Sequence, residues 1–77
     1  MKLTYDPKFN IAYIQLKEKK EQVETIHLSE SVNIDLASDG TVYGFELLNA
    51  NEQLGGTDKH SLVVENSATG TTAVVNY

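Results

Sequence analysis

From Ser31 to Asn49 the chain reads SVNIDLASDGTVYGFELLN, two alternating runs that face each other across Asp39-Gly40. Apolar residues fall at Val32, Ile34 and Leu36 before the turn and at Tyr43, Phe45 and Leu47 after it. Strand side chains alternate between faces, so a slip of one residue sends every one of them to the other side. An even loop, either Asp39-Gly40 alone or the four residues Ser38 to Thr41, pairs Leu36 with Tyr43, Ile34 with Phe45 and Val32 with Leu47. A three-residue loop ending in a glycine bulge would set Ile34 against Gly44 and Val32 against Glu46. Burial therefore predicts the even loop, and Asp-Gly tolerates positive φ at both central turn positions. The hairpin is expected to be the core of the fold.

The flanking segments supply the rest of a small sheet. Leu3-Thr4-Tyr5 starts a strand that Asp6-Pro7 turns. Asn10 to Leu16 alternates, with Ala12, Ile14 and Leu16 expected inward and Tyr13 half-buried with its hydroxyl toward water. Lys17 to Glu21 carries five charges and reads as a solvated hairpin loop. Val23 to Leu28 is the next strand, with Ile26 and Leu28 inward and Thr25 and His27 outward. The expected core is Ile14, Leu16, Val32, Ile34, Leu36, Tyr43, Phe45 and Leu47. Gly44, inside a strand, marks either a close neighbour or sheet twist alone.

After the hairpin, Asn49 to Gly55 has the signature of a short helix. Asn49 is placed to cap it, Glu52 to reach back, and Gly55 to end it in the left-handed region. Gly55 to His60 reads as a connector, with His60 as plain surface. Beyond it, Ser61 to Glu65 and Thr71 to Asn76 are β-like. The fold class is therefore α+β and mostly β: a small antiparallel β-meander with one short helix and a strand-like C-terminal tail. Residues 1–55 form the core. Residues 56–77 either extend the same sheet or form an arm that pairs with a neighbouring subunit.

Seventy-seven residues allow one domain with a thin core, and 40% hydrophobic with 22% charged residues suits a globular chain. No cysteine is present, which removes disulfides, thiolate nucleophiles and cysteine-based zinc sites. A core this small gains from self-association. No apolar run is long enough to span a membrane, and the N-terminus leads straight into a strand pattern, so the chain reads as cytoplasmic. Eleven acidic residues against six lysines, without arginine, give a net charge of −5. That balance argues against a nucleic-acid partner and suits a basic protein through electrostatic steering.

Three segments stand in a recognisable order: Thr4-Tyr5-Asp6-Pro7, then Ala12-Tyr13-Ile14-Gln15-Leu16, then Val32 to Leu36 with Asp39-Gly40 and Gly44 to Ala50. Together, over about residues 1 to 54, they resemble the YuzE-like family of small bacterial proteins of unknown function. The resemblance implies a compact antiparallel sheet with a short helix. It also implies an antitoxin-like role, since members look to be encoded beside small putative toxins. It carries over no catalytic residues.

Chemistry-bearing residues are sparse. The polar face of the hairpin sets Asn33 opposite Glu46 and Asp35 opposite Gly44, which puts Asp35 and Glu46 on a diagonal. With His27 or Thr25 alongside, Asp35, Glu46 and His27 are the candidate metal ligands. Acids on a solvated strand face are the plainer explanation. No nucleophile elbow, phosphate loop or metal-spaced histidine pair occurs, so neither an enzyme nor a cofactor is expected. Three functions follow: a protein-interaction module that neutralises a basic partner, a self-assembling homo-oligomer, or a weak metal- or ligand-binding sheet.

Overall fold

The computed structural model describes residues 1–55 and 60–77, so the connector expected from Gly55 to His60 lies mostly outside the described residues. The elements are β1 (Lys2–Asp6), β2 (Ile11–Gln15), β3 (Val23–His27), β4 (Val32–Ala37), β5 (Val42–Leu48), α1 (Ala50–Gln53), β6 (Ser61–Asn66) and β7 (Thr71–Asn76). The first five strands form one antiparallel sheet in the order β1-β2-β5-β4-β3, and β6 and β7 form a two-stranded sheet of their own. The chain is thus mostly β with one short helix, as its residues suggest. Among the described residues, no helix is long and apolar enough to cross a membrane.

The strand order departs from a simple meander. β2 pairs with β5, setting Ala12 against Leu47 and Ile14 against Phe45, while β3, β4 and β5 follow one another. The physical reason lies in β5, the longest strand. Central placement satisfies both of its backbone edges and gives its apolar residues neighbours on two sides. The charged segment after Leu16 is consequently a crossover rather than a hairpin loop. It runs past the β4–β5 turn, where the Leu16 N–H donates to the Tyr43 carbonyl at 2.8 Å and Lys17 Nζ lies 3.5 Å from Asp39 Oδ2.

The central register is the expected one for two of three pairs: Ile34 faces Phe45 and Val32 faces Leu47. Leu36, however, faces Val42 and not Tyr43. The loop is the odd one, Ser38-Asp39-Gly40, closed by Ala37 N–H to the Thr41 carbonyl at 2.8 Å and Gly40 N–H to the Ala37 carbonyl at 2.9 Å. Gly40 takes φ +86° and Asp39 stays out of the positive-φ region, as in a three-residue loop with a terminal left-handed residue. A second irregularity between Asp35 and Leu36 leaves Tyr43 as an extra residue on β5. Two odd insertions sum to an even one, so the apolar faces still coincide. Asp39 secures the loop by accepting from Thr41 Oγ1 at 2.6 Å and the Thr41 N–H at 3.0 Å. These bonds, with a smaller contribution from Lys17, hold its carboxyl down at about 2.

The helix is capped differently from its sequence signature. Asn49 sits in the left-handed region (φ 52°, ψ 49°) and its side chain makes no cap. Instead the Asn10 carbonyl accepts from Ala50 N–H at 2.9 Å and Asn10 Oδ1 from Asn51 N–H at 2.8 Å. Asn10, at φ 56° in the β1–β2 turn, is thus the cap delivered by tertiary structure. Asparagine suits this double role because it tolerates the left-handed region. Gly55, at φ +99°, follows the helix as expected.

Ala12, Leu47 and Ala50 form the buried cluster, with Leu3, Tyr5, Ile14, Val32, Phe45 and Leu54 packed on it. Ile34 and Leu36 are half-buried. Tyr43 is buried, but outside this cluster and at its bulge position. Leu16, expected in the core, is 40% exposed, and Ile26 and Leu28 are 41% and 62% exposed. α1 and the base of the β6–β7 hairpin cover one side of the five-stranded face, with Leu16 at the margin of that cover, while Ile26 and Leu28 lack a layer above them.

Asn10→Ala removes the side-chain cap and places alanine at positive φ. It is expected to lower stability by about 1–2 kcal/mol, measured by urea denaturation. Asn49→Ala tests the left-handed position alone and loses no cap.

Candidate functional site

The two faces of the sheet differ in kind. On the polar face, β3, β4, β5 and β2 bring two cross-strand rows together: His27, Asn33, Glu46 and Tyr13 in one, Thr25, Asp35, Gly44 and Gln15 in the other. The expected placements hold here, with Asn33 opposite Glu46, Asp35 opposite Gly44, and His27 and Thr25 alongside on β3.

Gly44 has a neighbour after all. A Cβ built on it would lie 2.6 Å from Tyr13 Oη and 2.7 Å from the Ile14 carbonyl. Tyr13 therefore lies across Gly44, and its hydroxyl donates to Asp35 Oδ2 at 2.6 Å. This corrects the expectation that the hydroxyl points to water. The other Asp35 oxygen accepts from Thr25 Oγ1 at 2.6 Å. Burial, and then the bond to the Asp35 carboxylate, push the Tyr13 phenol well above its ordinary value, with smaller contributions from Tyr43 and Glu46. At neutral pH it is a neutral donor and no base.

The second chain of bonds is separate. Asn33 Nδ2 donates to Glu46 Oε1 at 3.0 Å, which leaves Asn33 Oδ1 as the acceptor for His27 Nδ1 at 2.7 Å. This pairing places a proton on His27 Nδ1. Both Asp35 oxygens, one Glu46 oxygen and His27 Nδ1 are thus engaged in strand-to-strand bonds. Among the described residues no group of three acidic or histidine side chains is arranged to hold a metal ion. The polar face is a lattice that locks four strands in register.

Sequence reasoning missed Tyr13, Thr25 and Asn33 as the donors in this lattice. The available signal was a tyrosine near a strand glycine, a pairing in which the aromatic ring covers the bare backbone. It becomes legible only once β2 is known to lie beside β5.

His60 is likewise more than plain surface. Its ring stacks on Tyr77 at 5.1 Å and 12°, and Tyr5 meets both edge-on at 5.2 and 5.8 Å. Tyr5 also donates to Asn51 Oδ1 at 2.7 Å. The two ends of the β6–β7 hairpin are pinned at this corner of the main sheet. Beside it an apolar cavity of about 370 Å³ is lined by Leu3, Ile14, Phe45, Leu54, Leu62 and Tyr77, among others.

Beyond that corner the apolar side is open. Ile26 and Leu28 on the sheet are exposed, as are Val64 on one side of the hairpin and Val63 and Val74 on the other.

Two variants test the polar lattice. Gly44→Ala puts a methyl group into the Tyr13 ring and the Ile14 carbonyl, with an expected loss of about 1–3 kcal/mol in urea unfolding. The raised Tyr13 value contributes stability that is present below pH 10.0 and is lost as pH rises through the folded value. Tyr13→Phe should therefore be less stable at neutral pH by about 1–2 kcal/mol, and its disadvantage should shrink in alkaline solution. Unfolding curves at both pH values check the sign.

No match to a curated protein or to a solved structure was found. Residues 2–51, well over half of the chain, match a family model described as a protein of unknown function, DUF2283. The matched segment covers β1 to β5 and the start of α1, the whole of the sheet and its polar lattice. The chain belongs to this family.

Proposed function

We propose that this protein is a non-enzymatic interaction module that binds another polypeptide through the apolar face of its sheet. The observation that carries the reading is the incomplete second layer: α1 and the base of the β6–β7 hairpin cover one side of the face, and Ile26 and Leu28 stand without a cover. The polar face supports the same reading from the opposite side, because both Asp35 oxygens, one Glu46 oxygen and His27 Nδ1 are engaged in holding strands together. A cysteine-free, acidic chain suits a cytoplasmic module of this kind.

A second, finer reading draws on the net charge of −5 and on the YuzE-like resemblance. In it the bound polypeptide is a small basic protein and the module neutralises it, as an antitoxin does. Acidic side chains steer the encounter and the apolar face supplies the buried area.

Affinity capture from the native host, with the wild type and an Ile26→Lys/Leu28→Lys variant in parallel, tests the first reading. A stoichiometric polypeptide retained by the wild type and lost by the variant is expected. Equal retention by both refutes the apolar face as the contact. For the finer reading, the captured chain is basic and its binding weakens as salt rises; a neutral or acidic partner rules it out.

A further inference from the structure

We infer that the outer edge of β7 pairs with β7 of a second copy of this chain, antiparallel and centred on Val74. The contact lies apart from Ile26 and Leu28 and goes beyond the proposed function.

Backbone parity decides which groups of the hairpin point outward. The Tyr77 N–H donates to the His60 carbonyl at 2.8 Å, and hydrogen-bonded pairs alternate along an antiparallel ladder. With Leu62 against Val75 and Val64 against Ala73, those residues bond inward, between β6 and β7. The N–H and C=O groups of Thr72, Val74 and Asn76 therefore point away from β6. Among the described residues β7 has no second partner strand, and every residue of both strands is exposed. Nothing blunts this edge. Natural sheets protect their edges with charges, proline or bulges. β1 has Lys2 and Asp6, β3 has Glu24 and β6 has Glu65, whereas Thr71–Asn76 has neither charge nor proline. Its register with β6 runs without a bulge. Away from its base at Leu62 and Tyr77, the hairpin is a two-stranded ribbon, a form marginal in water until further strands join.

The same parity points to the occupant. A strand that bonds to Thr72, Val74 and Asn76 presents outward groups at the same spacing, and β7 itself does so. Run antiparallel about a two-fold axis at Val74, each Val74 exchanges both backbone bonds with its copy, and Thr72 does so with Asn76 of the second copy. Every outward residue of β7 is then paired. A centre at Ala73 leaves the Asn76 groups without a partner on β7 and sets Val75 against Thr71. Side chains favour the Val74 centre independently. Val63 and Val74 continue into Val74 and Val63 of the second copy, one row of valines across a β6-β7-β7-β6 sheet. On the opposite side Leu62 and Val75 continue into Ala73 and Val64 of the second copy, again without a polar residue. No like charges face each other across the junction. The contact is isologous, as in a two-fold dimer, and it leaves no β7 edge open. β6 has the same parity about Val63, and Glu65 is the charge that sets its edge apart.

Sedimentation velocity on the full chain at micromolar concentrations tests the pairing. The wild type is expected at twice the 8.5 kDa chain mass. Val74→Pro deletes an outward N–H and spares the bonds between β6 and β7, a change that an edge strand tolerates; it should sediment as a monomer. Val63→Pro makes the same change on the outer edge of β6 and should remain a dimer. Val74→Lys and Val74→Glu each set like charges across the two-fold axis and should be monomeric, whereas their equimolar mixture should recover the dimer. That recovery also shows that both variants fold. A monomeric wild type overturns the inference. So does a dimer that survives Val74→Pro, a dimer that Val63→Pro abolishes, or a mixture that stays monomeric. None of these variants alters Ile26 or Leu28, so capture of a polypeptide through that face stands or falls separately.

Discussion

The extra residue at Tyr43 keeps this sheet in register. An odd loop at Ser38-Asp39-Gly40 alone would rotate the whole of β5 by one position and send Phe45 and Leu47 to the polar side. The second insertion on the same strand restores parity within a few residues of the turn. Burial of the apolar face selects the sum of the two insertions and leaves their individual placement to local geometry. Gly40 takes the left-handed position at the loop, and the backbone bonds around Ala37 and Thr41 close it.

With parity restored, β5 becomes the axis of the molecule. Its apolar residues meet β2 on one edge and β4 on the other, and its bare Gly44 makes room for the Tyr13 ring. Tyr13 reaches Asp35 across two strand boundaries, which couples β2 to β4 directly. Asparagine and histidine do the same between β3, β4 and β5 on the neighbouring row. The polar face is therefore structural in the strict sense: its bonds hold strand order and register. Asp35, which looks like half of a site in one dimension, gives both its oxygens to the fold in three.

The other face is left unfinished by its own chain. A four-residue helix capped from the β1–β2 turn by Asn10 covers one corner, and the aromatic cluster of Tyr5, His60 and Tyr77 fastens the hairpin beside it. Small domains bury a modest share of their surface, and here the β6–β7 hairpin meets the sheet at Leu62 and Tyr77 but leaves Val63, Val64 and Val74 exposed.

Much of this was legible in the residues. Alternation defined the five strands of the sheet, the β-like tail and the face shared by Val32, Ile34, Phe45 and Leu47, because period two is a local property that burial enforces. The diagonal of Asp35 and Glu46 followed from that register. Pairing partners did not follow: whether β2 lies beside β3 or β5 depends on which arrangement best buries β5, and that is a comparison of whole sheets. The fates of Tyr13, His60 and Asn10 hang on that choice, since each acts on a residue at least 17 positions away in the chain. The sequence by itself determined which side of each central strand is apolar. Only the tertiary structure decided strand order, the bulge at Tyr43 and the incomplete cover, because these arise from competition among distant segments for the same buried edge.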